Sequence, residues 1–331
     1  MFSKSPCWSL KRFESFLDNK KCKQFYNKLG PPTLFDVTLR DGLQSFTSES
    51  DIKKFHFEYK KQIYSEIYYT HFPTNVEIGS LVSKKTLPIL ADSMELLQYV
   101  EQFNDQEIDN IYTNLHKCNH FILIPNINHL YTILNKPFVK NISFITSVSN
   151  SFQKKNTKMD LNQSKTELSK MIQLLDDNKR DYDNNIHYFI KLYVSCINEC
   201  PIEGKLDNDQ VVHEILKLGN MKIDTICLSD TCGTLEVEDF EYIVDTCNYF
   251  GIPFSKFSLH LHVKNDRKHI VKEIIYKALD RKILQFDVSL LESGGCSVTM
   301  NANQLANNLS YELYYDTIID YVEKKINMNE T

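Results

Sequence analysis

The 331-residue sequence lacks the features that define several classes of protein. No apolar run approaches the roughly 18–20 residues that a membrane-spanning helix needs, so we expect a soluble chain. There is no basic excess, because 38 Lys and Arg are opposed by 43 Asp and Glu and the net charge is −5. A general nucleic-acid binder normally has such an excess, so that function is disfavoured. No Gly-, Ser- or Pro-rich linker divides the chain, which favours one compact body.

Nine cysteines are present, but they lack the dense, even spacing of a secreted disulfide framework. Cys196 and Cys200 are separated by three residues, and no second Cys or His pair follows at the spacing of a zinc site. We therefore predict reduced thiols in a cytosol-like compartment.

The first thirty residues mix lysines with apolar residues. This mixture would suit a mitochondrial presequence, but Glu14, Asp18 and the scarcity of Arg and Ser disfavour that interpretation. We predict instead an N-terminal extension over residues 1–30, helical and packed on a catalytic domain at 31–331, and a cytoplasmic location.

Eight short apolar runs rich in β-branched residues recur along the chain, each followed by a longer helical pattern. Parallel strands need crossover helices, so this alternation favours a parallel sheet. Eight units favour a closed (β/α)8 TIM barrel of the α/β class over an open doubly wound sheet. No GxGxxG motif follows the first run, which weakens the dinucleotide-binding alternative. The predicted strands are Leu34–Thr38, Asn75–Ile78, His120–Ile124, Ile142–Val148, Tyr188–Val194, Asp224–Leu228, Phe257–His262 and Leu284–Leu290.

In a barrel of this kind, catalytic residues lie at the carboxyl ends of the strands and in the loops that follow. Arg40, Asp41 and Gln44 follow the first predicted strand, although a salt-bridged strand end is the alternative interpretation. Glu77 lies at the end of the second strand. Asp230 closes the sixth, where a simple helix cap is the alternative.

The seventh predicted strand contains His260 and His262, whose side chains point to the same face because they are two residues apart. Two ordinary histidines are commoner than a metal site, but Asp41 can reach the same barrel mouth. A carboxylate, two imidazoles and an amide suit Mg²⁺ or Mn²⁺ better than a structural zinc ion. After the eighth strand, a Gly-Gly pair precedes Cys296, and Asn303 begins a helical pattern. A buried thiol and an N-cap are the alternative roles for these two residues.

Together these residues resemble the DRE-TIM metallolyases of the pyruvate carboxyltransferase-like superfamily, and within them the HMG-CoA lyase branch. The resemblance covers most of the chain, from about Leu34 to Leu313. The segments that carry it are Leu39–Gln44, Val76–Ser83, Cys200–Lys205, Asp230–Gly233 and Gly294–Cys296.

The resemblance implies a metal-dependent carbon–carbon lyase that cleaves 3-hydroxy-3-methylglutaryl-CoA, or a related 3-hydroxyacyl-CoA, to acetyl-CoA and a keto acid by retro-Claisen chemistry. It implies that Arg40 stabilises the enolate oxygen, that Cys296 is a general acid or base, and that Glu77 and Asp230 order the site. A divalent cation, Mg²⁺ or Mn²⁺, would be held by Asp41, His260, His262 and Asn303.

The resemblance also implies contacts with an acyl-CoA substrate and a homodimer. The implied substrate contacts are Gln44, Lys155 and Asn156. Cations near the mouth would hold the CoA tail, and the candidates are Lys84, Lys154, Lys155 and Lys205, each of which could also be an ordinary surface lysine.

Three departures from the family pattern keep other functions open. Val263 and Lys264 stand where the family has Asp and Thr, Asn150 stands where the lyases have Glu, and the segment from Cys296 to Asn303 is shorter than usual. Loss of residues that support metal ligands can weaken a site by about 10- to 100-fold. The alternatives are a Claisen-condensing synthase that joins acetyl-CoA to a 2-oxo acid, and a barrel that has lost catalysis and kept a binding role.

Overall fold

Eight parallel strands form a closed barrel in the computed structural model, which describes residues 8–107, 118–181, 188–295, 300 and 305–329. Each strand pairs with the next along the chain, and the eighth pairs with both the seventh and the first, which closes the barrel. The predicted (β/α)8 fold is confirmed. In chain order, β1 to β8 are Thr33–Asp36, Asn75–Ser80, Asn119–Leu123, Asn141–Ser147, Phe189–Ser195, Thr225–Asp230, Phe257–Val263 and Gln285–Val288.

Several strand ends differ from the predicted bounds by one or two residues, and two of these differences have a local reason. We predicted the first strand to Thr38, but it ends at Asp36, whose carboxylate accepts hydrogen bonds from the Thr38 backbone N–H at 2.9 Å and hydroxyl at 2.8 Å. That side-chain turn replaces the ladder hydrogen bond of Thr38. The second strand continues past Ile78 to Ser80, with a shift of register between Glu77 and Gly79. Such a bulge redirects side chains near a barrel mouth.

The helices surround the barrel and bury their apolar faces against the outer side of the strands. In the helix over residues 208–219, Val211, Val212, Ile215 and Leu218 are buried at the three- and four-residue spacing seen in the sequence. The helices, α1 to α13, are Trp8–Asp18, Lys20–Leu29, Asp41–Gln44, Glu49–Lys54, Phe57–His71, Ser93–Glu107, Ile127–Tyr131, Asn150–Thr157, Leu161–Asp181, Asn208–Gly219, Val237–Tyr249, Lys268–Asp280 and Tyr311–Asn329.

Two helices precede the first strand and pack on the last helix. Phe13 of α1 stacks on Tyr315 of α13 with ring centroids 5.0 Å apart and meets Tyr26 of α2 edge-on at 5.7 Å. Arg12 forms an ion pair with Asp316 at 3.2 Å. Among the described helices, none combines the length and apolar character required to cross a bilayer.

The barrel interior is apolar at the amino ends of the strands and charged above. Phe35, Phe121 and Phe189 fill the lower interior, with ring centroids 4.9 Å apart for the first two and 5.7 Å for the last two. The side chains above them include Glu77, Lys191 and other buried ionisable groups. The polar interior therefore faces the carboxyl ends of the strands, where barrel enzymes place their chemistry.

His71, at the end of α5, is expected to make the fold sensitive to acid. It is buried, its ring stacks on Tyr311 at 3.8 Å, and burial lowers its pKa to about 4. Because this pKa lies below the unfolded value of 6.5, the stability it contributes is present above pH 6.5 and is lost as the pH falls through 4. At about 1.4 kcal/mol per pH unit, the loss amounts to about 3 kcal/mol.

We expect His71→Phe to remove that part of the pH dependence. Urea unfolding of both proteins at pH 7 and pH 4.5 measures it, because the stability difference between them should change with pH in favour of the variant in acid. Parallel pH profiles for the two proteins would contradict the prediction, because they would mean that His71 has the same pKa in the folded and unfolded states.

Candidate active site and metal centre

Asp41, His260 and His262 converge at the carboxyl end of the barrel. One ligand atom from each lies within 4.8 Å of the others, and all three residues are buried. Asp41 Oδ2 lies 3.8 Å from His260 Nε2 and 3.5 Å from His262 Nε2. The alternation of β7 turns both imidazoles inward and leaves Leu261 in the outer core, as the sequence predicted.

The close packing of α3 on the segment that leaves β8 positions Asp41 over the barrel. Asp41 begins α3, directly after the turn that follows β1. A Cβ added at Gly42 would lie 2.9 Å from Ser289 Oγ and would displace that hydroxyl, so glycine favours the close packing of α3 on the segment that leaves β8. Gln44, at the end of α3, donates hydrogen bonds to Asp41 Oδ1 and to the Gly295 carbonyl, the latter at 3.1 Å.

The other ring nitrogen of each histidine fixes its tautomer. His262 Nδ1 faces the carbonyl oxygens of Asp230 at 3.0 Å and Thr231 at 3.2 Å, so it is the nitrogen that donates. His260 Nδ1 donates to Asp287 Oδ2 at 3.2 Å. Both Nε2 lone pairs therefore point toward Asp41, and His262 Nε2 is buried without a hydrogen-bond partner among the described residues. This donor set fits a divalent cation, since metal-binding histidines are oriented in this way.

The charges at the centre are strongly coupled. Burial opposes ionisation of Asp41, but the Arg40 guanidinium and the two histidines hold the pKa of its carboxyl well below the usual range. Burial lowers the pKa of His260. For His262, burial also acts to lower the pKa, but the contact with Asp41 outweighs it and the pKa is raised. A divalent cation bound at His262 Nε2 would therefore compete with a proton for that atom.

Arg40 is held rigidly beside the three metal-site residues. Its Nε donates to Glu77 Oε2 and its Nη1 to Asp41 Oδ1, both at 2.6 Å. Its guanidinium lies 4.8 Å from the ring centroid of Tyr193, whose hydroxyl donates to Glu77 Oε2 at 2.9 Å. Two carboxylates and an aromatic ring thus fix the Arg40 guanidinium at the base of the site. A positive charge that is fixed before the reaction stabilises a developing anion most effectively.

A cavity of about 490 Å³ opens above these residues. His260 and His262 on β7 face, across the barrel, an apolar wall that includes Leu123 and Ile145 at the ends of β3 and β4. Three basic side chains, His129, Lys155 and Lys158, also line the cavity. Of the predicted site residues, those on its lining are Arg40, Asp41, Gln44, Lys155, Asn156, His260 and His262.

The HMGL-like family model matches residues 31–271. The chain belongs to the HMGL-like family. The predicted resemblance to HMG-CoA lyases is thereby confirmed, together with the enzyme class, an HMG-CoA lyase-like lyase. Members of this family use a divalent metal, and Asp41, His260 and His262 form the candidate site for one here.

Proteins similar to this chain in sequence include hydroxymethylglutaryl-CoA lyases. The chain is 22% identical over 292 residues to the hydroxymethylglutaryl-CoA lyase of Pseudomonas mevalonii, covering 87% of each chain. It is 23% identical over 227 residues to a 3-hydroxy-3-isohexenylglutaryl-CoA/hydroxy-methylglutaryl-CoA lyase of Pseudomonas aeruginosa, covering 69% of this chain and 67% of the relative.

Solved structures show the same fold. The Brucella melitensis HMG-CoA lyase aligns with a TM-score of 0.66 at 20% identity, over 91% of this chain and 99% of that one. An HMG-CoA lyase from A. baumannii in complex with coenzyme A and 3-methylmalate aligns with a TM-score of 0.65 at 22% identity, over 88% of each chain.

Several residues predicted for this HMGL-like site lie off the cavity. Glu77 lies beneath it and holds Arg40. Both carboxylate oxygens of Asp230 accept backbone N–H groups, those of Thr234 and Leu235 at 3.1 Å, which is the contact of a turn cap. Cys296 and Asn303 fall outside the described residues.

The lysines proposed for the CoA tail differ in their surroundings. Lys155 lines the cavity, whereas Lys84 and Lys154 are exposed and are not part of its lining. Lys205 donates to Asn198 and Asp239 and therefore has protein partners of its own.

Two of the departures from the family pattern have local partners in the structure. Val263 is buried and pairs with Asn307 of a short antiparallel strand at Asn307–Asn308, so its side chain is part of the hydrophobic core. Asn150 follows the Ser149 cap of α8, and its Oδ1 accepts the Leu161 backbone N–H at 3.2 Å, which fixes the start of α9.

Sequence reasoning missed Lys191, Tyr193 and Asp287, which lie inside the barrel next to the site residues. Each stands at an inward position of a strand. A charged residue inside an otherwise apolar strand was the available signal, because an ion at such a position needs a partner.

Proposed function

We propose that the chain is a divalent-metal-dependent lyase that cleaves 3-hydroxy-3-methylglutaryl-CoA, or a closely related 3-hydroxyacyl-CoA, to acetyl-CoA and a keto acid. The strongest support is the arrangement of Asp41, His260 and His262 beside the fixed Arg40 at the base of one cavity. Among the described residues, His262 Nε2 has no hydrogen-bond partner. The relatives whose names carry this activity, and the coenzyme A bound in the A. baumannii structure, support the choice of an acyl-CoA thioester.

The proposed reaction breaks the bond between C2 and C3 of the acyl group. The C3 hydroxyl loses its proton and becomes the ketone of the keto acid, and the electron pair of the broken bond becomes an enolate of the thioester. A proton then adds at C2 to give acetyl-CoA. When bound, a divalent cation would lower the pKa of the C3 hydroxyl and orient it.

The residues of the chain supply the rest of this chemistry. Arg40, held by Glu77 and Asp41, would face the thioester oxygen and stabilise the enolate charge. Gln44 would keep Asp41 tied to the Gly295 loop that leads to Cys296. Cys296 is proposed as the general acid or base and Asn303 as the fourth ligand, both from the family resemblance.

The cavity suggests how the thioester lies. The acyl group would lie at the base of the cavity, with its thioester oxygen toward Arg40 and its C3 hydroxyl toward Asp41 and the two histidines. The pantetheine arm would lie along the apolar wall of Leu123 and Ile145 and leave past Lys155 and Asn156. The charged tail would then meet exposed lysines outside the cavity, a weak, salt-dependent contribution to binding.

We expect the purified protein, supplied with Mg²⁺ or Mn²⁺, to convert 3-hydroxy-3-methylglutaryl-CoA to equal amounts of acetyl-CoA and acetoacetate. Chromatography of the thioesters together with an acetoacetate assay measures both products. EDTA should stop the reaction, and an excess of the cation should restore it.

Other outcomes would point elsewhere. Condensation of acetyl-CoA with a 2-oxo acid, without cleavage of 3-hydroxyacyl thioesters, would make the chain a synthase of the same superfamily. A protein that neither binds Mn²⁺ nor changes its melting temperature on its addition would be a barrel without catalysis.

A further inference from the structure

A buried lysine deep in the barrel contacts the metal site through one carboxylate. Lys191 of β5 has 2% of its side chain exposed, and its Nζ lies 2.5 Å from Asp287 Oδ1. Asp287, on β8, is fully buried and contacts His260 Nδ1 with its other oxygen, Oδ2, at 3.2 Å. The two strands are not neighbours in the barrel, so the ion pair crosses its interior.

The surroundings of Lys191 leave its ammonium little freedom to move. The Nζ atom lies 3.2 Å from the ring centroid of Phe35 and 4.6 Å from that of Tyr193. Besides Lys191 and His260, the described contacts of the Asp287 carboxylate include the Cys227 thiol, 3.7 Å from Oδ2. The position of Asp287, and with it the direction of its Oδ2, is therefore set by the ammonium.

The two histidines of the metal site are oriented by different means. His262 is held by two backbone carbonyls, which no side-chain substitution removes. His260 depends on the single carboxylate of Asp287. A carboxylate partner fixes the ring and makes the imidazole a better ligand, and loss of such a partner weakens metal binding by about 10- to 100-fold.

We propose that Lys191 is a positioning residue for the metal site: by holding Asp287, it sets the orientation of His260 as a ligand. Without its ammonium, the carboxylate would be a buried charge lacking a cation, and it would move from its present position. That movement would release His260 Nδ1. This inference rests on the proposed metal site and adds a residue that touches neither the cation nor the substrate.

Mn²⁺ binding to the full-length protein, measured by electron paramagnetic resonance in the absence of substrate, tests this proposal. We expect Lys191→Met to raise the Kd for Mn²⁺ by about 10- to 100-fold. Lys191→Arg, which keeps the charge beside Asp287, should recover most of that loss. A purely structural role would lower the melting temperature of the metal-free protein and leave the Kd unchanged.

Lys60→Met is the matched control. Lys60 of α5 is also a buried lysine, with 4% of its side chain exposed and Nζ 2.5 Å from Asp92 Oδ1, but it lies outside the barrel interior. This variant should lose stability and bind Mn²⁺ as the wild type does. If Lys191→Met does not fold, the double variant Lys191→Met/Asp287→Asn removes both buried charges, and it should still bind Mn²⁺ at least about tenfold more weakly, because a neutral amide orients imidazole less strongly.

The outcomes separate this inference from the proposed function. Wild-type protein that binds Mn²⁺, together with a Lys191→Met variant that binds it within twofold as tightly, overturns the role of Lys191 alone. Equal affinity in a folded double variant does the same. Wild-type protein that binds no Mn²⁺ overturns the metal site and this inference together.

Discussion

His262→Ala is expected to abolish thioester cleavage and to weaken Mn²⁺ binding. The substitution removes one of the three residues of the candidate metal site and leaves the Asp41 carboxylate facing one imidazole, that of His260. Metal ions contribute several kcal/mol to the stabilisation of a transition state, so kcat/KM should fall on the order of 10³-fold or more. Steady-state cleavage of 3-hydroxy-3-methylglutaryl-CoA and a Mn²⁺ titration measure the two effects.

His129→Ala is the control for that substitution. His129 lines the same cavity, but its Nδ1 contacts Asn126 Oδ1 at 2.9 Å and it is not one of the three metal-site residues. This variant should keep its Mn²⁺ affinity and change kcat/KM only a few-fold, by about the loss of one weak contact. Full cleavage activity in His262→Ala would mean that the histidine pair of β7 does not carry the reaction.

Arg40→Met should reduce kcat by about 10²- to 10³-fold, the cost of removing one fixed group that stabilises a developing anion. Because that charge develops only as the carbon–carbon bond breaks, KM should change far less than kcat. Arg40→Lys should remain well below the wild type, since an ammonium cannot reproduce the two contacts to Glu77 and Asp41. Kinetics at saturating Mn²⁺ separate this loss from an effect on metal binding.

Arg267→Met provides the comparison for Arg40. Arg267 donates to the carbonyls of Thr234 and Leu235 and to Glu236, and it does not line the cavity. Its loss should lower stability and leave kcat close to that of the wild type. A large rise in KM for Arg40→Met, with kcat unchanged, would instead assign Arg40 to substrate binding.

The sequence predicted those parts of the molecule that depend on local periodicity. Each barrel strand overlaps a predicted one, because a buried parallel strand appears as a continuous apolar run. The two-residue repeat placed His260 and His262 on one face, and the barrel rule then brought Asp41 to the same mouth. These inferences need only the regular geometry of a strand and the closure of a sheet.

Contacts between distant parts of the chain could not be predicted in this way. Lys191 and Asp287 are separated by 96 residues, and the local sequence around either residue does not indicate that the two form an ion pair. The turn made by the Asp36 side chain and the bulge after Glu77 depend on a choice between side-chain and ladder hydrogen bonds, which tertiary packing decides. Asp230 had two interpretations because a catalytic carboxylate and a turn cap occupy the same position at a strand end.

Three phenylalanines close the lower barrel among the residues that the structure describes. Phe35, Phe121 and Phe189 fill the interior at the amino ends, and the cavity lining includes none of them. Within this part of the chain, Asp41 is reached through the cavity at the carboxyl ends of the strands. Under the proposed function, a cation at the floor would load before a thioester fills the space above it, and the keto acid would leave only after the CoA arm moves. The order of arrival and departure would then be a property of the fold.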